Sequence, residues 1–390
     1  MAKMPLRLQF ARLLVVVIFV WPFVNVAYLY PGSTVEINFF FVFPAIALAP
    51  EALLDDKWTL LLLIPTVALA AALSSVGAGL RVIVGVIPLL FLMGLYRSFA
   101  SRGWELIPRR IAYRALQGFV GFSVIQYINL NVFTIVPGWL TDGLTAIVPR
   151  YMTTPYDEFG IRGVQGWASE PSSAAMTCFA FAIVAVLQEP EKRWRILCLF
   201  SAMAVFNKSI YAVALLALLG IALLFEAKNK MISVLALLPL TVGITYFLFR
   251  SGRVVELQNA ILIYGLSEVS SPQFLRVGQI IYPLTAFPHI YKPVDLFGFA
   301  MEPLGLLPLL VGYGSLFGCV IYCRAILAPF RSNGAKSMTL ALTSAFVFSF
   351  VISPDFVPLI VSFAYAIKPR PSESMARNEL RGRWLGRLIT

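Results

Sequence analysis

The sequence predicts an all-α, polytopic integral membrane protein with about 12 transmembrane helices and two long external loops. Three observations predict it. Hydrophobic residues fill 59% of the 390 positions and charged residues only 13%, against roughly 25% charged in soluble domains. Apolar runs close to the roughly 20 residues that cross a hydrocarbon core recur along nearly the whole chain, with a mean hydropathy of +0.83. Threaded through a bilayer, these runs leave most of the 31 Lys and Arg residues on one side, the inside. A β-barrel would show short alternating segments instead.

Taken in order, Lys3, Arg7 and Arg12 lead into the run 13–30. That run is long for a signal-peptide core, has no clear small-residue cleavage site, and reads as the first span. Further spans are expected at 36–53, 58–76, 80–96, 113–135, 172–188, 194–206, 209–226, 231–249, 300–323, 337–353 and 356–367. The stretch 195–225 is divided at Asn207-Lys208-Ser209 and 337–367 at Ser353-Pro354-Asp355, because Lys208 and Asp355 would otherwise lie at bilayer depth. The chain then forms a single transmembrane domain over 1–390, with both termini and the basic tail 368–390 on the cytoplasmic side. The external loops run from about 136 to 171 and from about 250 to 299. Trp139, Leu140, Ile147 and Tyr151 in the first, and Ile261, Leu262, Ile263, Tyr264, Ile280 and Ile281 in the second, suggest short amphipathic helices at the membrane surface.

Composition also argues against several functions. The net charge of +12 invites nucleic acid as a partner, but the basic residues are spaced as topology signals and no nucleic-acid-binding motif accompanies them. The short cytoplasmic loops carry no phosphate-binding or dinucleotide fingerprint, which argues against ATP-driven transport. Cys178, Cys198, Cys319 and Cys323 all fall in apolar segments and read as packing residues, the last two one helical turn apart. With one histidine and no Cys/His cluster, neither a metal nor any other cofactor is expected.

The richest stretch is Gly160-Ile-Arg-Gly-Val-Gln-Gly-Trp-Ala-Ser-Glu-Pro-Ser-Ser173, where a polar loop re-enters an apolar segment. Arg162 and Glu170 are its candidates for chemistry, with Arg150, Asp157 and Glu158 upstream. Glu170-Pro171 suits a helix start, so Glu170 reads either as a capping acid or as a carboxylate at a cavity mouth, where partial desolvation would fit it for proton abstraction. In the second loop, Arg276 sits in Pro272-Gln-Phe-Leu-Arg-Val-Gly278. A guanidinium among apolar residues either snorkels to head groups or meets an anion such as phosphate. His289, between Pro288 and Ile290, is either an interfacial residue or a substrate contact. Arg81 lies just inside the fourth span and Lys208 at the break between two short spans; either serves as a topology anchor or as a site cation.

In these blocks the chain resembles the O-antigen and exopolysaccharide repeat-unit polymerase family, relatives of the O-antigen ligases. Three blocks carry the resemblance, over about residues 110–350. The first is Arg162-x-x-x-Gly166-x-x-x-Glu170-Pro-Ser-Ser173 before a span. The second is Phe206-Asn-Lys-Ser209 between two short spans. The third is Arg276, then Pro293-Val-Asp-Leu-Phe-Gly298, Glu302-Pro-Leu and Gly312-x-Gly-x-x-x-Gly318. Ligases tend to place a His-Asn pair where this chain has Glu302-Pro303, which favours polymerase and leaves His289 as a possible substitute.

The resemblance implies a fold like the GT-C-type lipid-linked-sugar transferases and an enzyme of the bacterial plasma (inner) membrane acting on its external face. Its substrate would be undecaprenyl-pyrophosphate-linked oligosaccharide, polymerised into O-antigen, capsule or exopolysaccharide by metal-independent glycosyl transfer. Implied partners are membrane lipids and a chain-length regulator and flippase of the same pathway. By the same resemblance Glu170, Arg276 and His289 are the catalytic candidates, and Arg162, Lys208, Arg81 and Arg276 the pyrophosphate and sugar ligands. Three alternatives stand beside this reading: an O-antigen ligase-type transferase, a lipid-linked oligosaccharide flippase or transporter, and a non-catalytic export scaffold. Against transport, no internal repeat relates the two halves.

Overall fold

A computed structural model describes residues 4–21, 38–56, 90–100, 102–128, 164–168, 171–207 and 209–226, with isolated positions between and after them. Its regular elements are helices: α1 (Leu6–Val20), α2 (Asn38–Leu48), α3 (residues 90–100), α4 (Ile111–Ile128), α5 (Pro171–Gln188), α6 (Arg193–Asn207) and α7 (Ile210–Glu226). Short 3-10 turns follow α2 (Pro50–Asp56) and α5 (Pro190–Lys192). The exception among the described residues is a two-residue antiparallel pairing, β1 (Tyr156–Asp157) with β2 (Gly160–Ile161), in the register Tyr156↔Ile161 and Asp157↔Gly160.

The bundle is built around α5. From Ala174 to Val186 every residue of this helix is buried, including Phe179, Phe181 and Ile183. A helix apolar on all sides belongs at a centre, and α5 has neighbours on all sides. Phe181 meets Phe19 of α1 edge-on at 5.0 Å, and Phe179 meets Phe200 of α6 at 6.1 Å. α4 and α7 also pack on it, and Ser362 Oγ donates to the Ala180 carbonyl at 3.0 Å. Ala174, Ala175, Ala180, Ala182 and Ala185 remove bulk from α5, so that neighbouring backbones approach closely. Dispersion between such well-fitted surfaces does not depend on water and holds helices together in either solvent.

The outward faces are apolar as well. On α1, Leu6, Phe10, Leu13 and Val17 form an exposed stripe at helical spacing; on α7, Ile221 and Phe225 do the same. No described helix is long and apolar enough to cross a membrane. At 18 residues, α4 and α5 each extend about 27 Å.

Helix bounds correct the expected segments in several places. α1 begins at Leu6, not at residue 13, and takes Arg7 and Arg12 into its first turns. Both cations have partners: Arg7 pairs with Glu51 at 3.0 Å, and Arg12 Nε donates to the Leu106 carbonyl at 3.3 Å. The 36–53 segment is helical only to Leu48 before tightening into the 3-10 turn, and α3 runs on past residue 96 to 100. The segments 172–188, 194–206 and 209–226 coincide with α5, α6 and α7 to within a residue, and the helix breaks between Asn207 and Ile210.

Candidate functional site

One end of the bundle collects the start of α4, the end of α5 and the start of α6. There Tyr365 is the hub: its hydroxyl accepts from the Ile107 N–H at 2.7 Å and donates to the Ile107 carbonyl at 2.9 Å. Gln188 Nε2 donates to the same carbonyl at 2.8 Å. Beside it, Glu189 Oε1 takes Lys192 Nζ at 2.8 Å and faces Arg110 Nε at 3.8 Å, while Lys192 lies 4.8 Å from the centre of the Tyr113 ring. Arg109 pairs with Glu105 at 2.7 Å. This is a charged end, closed by ion pairs.

The opposite end, where α4 and α6 finish and α5 and α7 begin, holds the Gly-rich block. Residues 164–168 do not skirt the surface: Val164, Gln165, Trp167 and Ala168 are all buried. A buried loop must satisfy its own backbone, and two carboxamides do this. Gln126, near the end of α4 and 2% exposed, accepts through one oxygen from two successive amides, Gln165 N at 3.2 Å and Gly166 N at 2.9 Å. Asn207, the last residue of α6 and 1% exposed, donates through one nitrogen to the carbonyls of Val164 at 2.9 Å and Pro171 at 2.6 Å. The Val164 amide completes the seam by donating to the Phe206 carbonyl at 3.1 Å. Because Gln126 must accept and Asn207 must donate, the orientation of both amides is fixed by their partners.

Between these anchors the loop turns at Gly166, whose φ is +59°. A Cβ here would stand 2.3 Å from Phe119 Cε1, so conformation and space both demand glycine. The turn delivers Trp167 into an aromatic box. Its ring stacks on Trp21 at 5.2 Å with a 7° interplanar angle, meets Phe119 edge-on at 4.4 Å, and lies 6.0 Å from Phe122. Its Nε1 donates to the Val20 carbonyl at 3.2 Å, tying the loop to the end of α1.

Four buried polar atoms at or near this end have no hydrogen-bond partner among the described residues: Ser123 Oγ, Gln126 Nε2, Thr177 Oγ1 and Asn207 Oδ1. Each carboxamide thus has one half committed to backbone and the other half free.

The six residues singled out for chemistry, Arg81, Arg162, Glu170, Lys208, Arg276 and His289, lie outside the described residues. The chain places three of them next to described anchors. Arg162 precedes Val164 by two residues, Glu170 immediately precedes Pro171, and Lys208 immediately follows Asn207. Asn207 therefore joins the first two blocks of the resemblance, while the third, from Arg276 to Gly318, is outside the described residues. Sequence reasoning passed over Gln126, Trp167 and Asn207. A glutamine three residues after a serine in an otherwise apolar run was the available signal for the first. No group of three or more His, Cys, Asp or Glu side chains that could hold a metal occurs among the described residues, where Cys178 and Cys198 are free thiols. Compared with protein-family models, curated proteins and solved structures, the chain matches none.

Proposed function

We propose that this chain is a membrane glycosyltransferase that polymerises undecaprenyl-pyrophosphate-linked oligosaccharide repeat units at the external face of the bacterial plasma membrane. The observation that carries the reading is the Asn207 junction, which ties the Gly-Pro-Ser loop to the Asn-Lys-Ser break, two blocks that the sequence keeps more than thirty residues apart. The exposed apolar stripes on α1 and α7 support a lipid environment, since soluble proteins rarely leave such patches bare. The gathering of Arg109, Arg110 and Lys192 at the opposite end supports placing the loop end outside.

In this mechanism an acceptor hydroxyl attacks the anomeric carbon of the growing chain. The new C–O bond forms as the bond to pyrophosphate breaks, and its electron pair leaves with the lipid pyrophosphate. Glu170, or His289 in its place, takes the hydroxyl proton. Arg276 and Arg162, supported by Lys208 and Arg81, offset the charge that develops on the leaving group, a task arginine performs through its planar fork of donors. The test is the glycan size distribution in cells lacking the native gene, complemented with wild type, Arg276→Ala or Glu170→Ala at matched membrane levels. Wild type should restore a ladder, and the variants should leave single repeat units. Equal ladders from all three would remove these residues from the site. Polymer that persists without the gene, unattached or trapped inside, would point to a ligase or a flippase.

A further inference from the structure

We infer that Gln126 and Asn207 are positioning residues that hold the ends of the 164–171 loop, and with them the chain neighbours of Arg162, Glu170 and Lys208, in one arrangement. The inference rests on the proposed glycosyl transfer for its functional consequence, but its structural content is independent of it.

Two of the groups that fasten the loop each act twice. Gln126 Oε1 takes two amides on the approach to the Gly166 turn. Asn207 Nδ2 takes one carbonyl at the start of the loop and one at the first residue of α5. The two side chains come from different helices, so the loop reads the relative position of α4 and α6 through them. Neither has an obvious substitute, because a buried loop stripped of these bonds would leave unpaired amides and carbonyls away from water. The demand on the two residues is opposite in sign. Position 126 must supply an acceptor, and position 207 must supply two donor hydrogens.

That opposition gives a test that bulk or burial alone would not pass. Gln126→Glu keeps an oxygen facing the two amides, whereas Gln126→Met keeps the volume and loses the acceptor. Asn207→Asp keeps the shape and loses both donor hydrogens. Each is introduced into the full chain with the four native cysteines replaced and Ala168→Cys added, since Ala168 lies fully buried within the loop. The rate of labelling by a membrane-impermeant maleimide on intact cells or spheroplasts reads loop closure, and the glycan ladder is scored in parallel.

The Ala168→Cys parent and Gln126→Glu should be protected and make polymer. Gln126→Met and Asn207→Asp should label at least about tenfold faster, as local opening replaces a closed loop, and should lose polymer. Equal labelling of Gln126→Met, Asn207→Asp and the parent would overturn the inference. So would an open loop in Gln126→Glu, and that comparison decides the matter if the other two variants fail to accumulate. A closed loop in Gln126→Glu with polymer lost would support Oε1 as the atom that holds the loop and assign a separate requirement for Nε2 to the reaction. In Gln126→Met or Asn207→Asp, an open loop with polymer intact would leave the positioning role standing and remove this loop from the reaction site.

Discussion

The two ends of this bundle solve the same problem with different chemistry. At the charged end, Glu189, Lys192 and Arg110 offset one another, and Lys192 is spread over the face of Tyr113. At the loop end the described anchors are neutral: two carboxamides, an indole and a glycine carry the load. Ion pairs near water, such as Arg109 with Glu105, are soft, contributing roughly 0–1 kcal/mol and fading with salt. Buried amide bonds to backbone are unforgiving, because a partner lost leaves a group with nowhere to turn. The exposed ion pair of the charged end tolerates change; the buried bonds of the loop end specify a geometry.

That contrast predicts a ranking of substitutions, measured as thermal unfolding of detergent-solubilised protein. Gly166→Ala should be the most damaging. It combines a left-handed backbone that costs about 1–3 kcal/mol for a residue with a Cβ and an overlap with the Phe119 ring that costs about as much again. Gly166→Ala should cost less in a Phe119→Leu background than in wild type, since the smaller side chain relieves the overlap but not the backbone strain. An equal cost in both backgrounds would mean that the 2.3 Å approach to Phe119 is not what excludes a side chain.

Asn207→Asp comes next, at about 2–4 kcal/mol, because two carbonyls lose their donors and a carboxylate faces them instead. Trp167→Phe should cost about 1–2 kcal/mol, from the bond to Val20 and part of the stack on Trp21. At the other end, Arg109→Met, which removes the exposed pair with Glu105, should cost no more than about 1 kcal/mol, an effect that shrinks further in high salt, and leave glycan synthesis unchanged. A larger loss from Arg109→Met than from Trp167→Phe would reverse the contrast between the ends.

Much of the helical frame among the described residues was legible in the sequence, and the reasons are local; the expected spans 58–76, 231–249, 300–323, 337–353 and 356–367 lie almost wholly outside those residues. α5, α6 and α7 are apolar runs bracketed by Pro171 and by the Asn207-Lys208-Ser209 break, so their limits are written where they fall. The start of α1 was not, because Arg7 and Arg12 read as the basic lead into an apolar run; their partners, Glu51 and the Leu106 carbonyl, come from distant parts of the chain. The loop was visible as a block of glycines around an arginine and a carboxylate, yet nothing local says that Gly166 is the one whose Cβ space Phe119 occupies. Gln126 and Asn207 were hidden for the same reason. The charge at Lys208 stands out in the sequence, whereas its neutral neighbour Asn207 bonds to the loop. A carboxamide in an apolar run announces that it needs partners without saying which ones.

The most direct measurement is polymerisation by the purified chain in liposomes supplied with lipid-pyrophosphate-linked repeat units, with product length read on a gel in the presence and absence of EDTA. The account predicts a ladder from wild type that survives EDTA, and unextended repeat units from Glu170→Ala and Asn207→Asp. A ladder abolished by EDTA and restored by magnesium would contradict the metal-independent chemistry. A ladder from Glu170→Ala and Asn207→Asp equal to that of wild type would contradict the assignment of the reaction to the loop end.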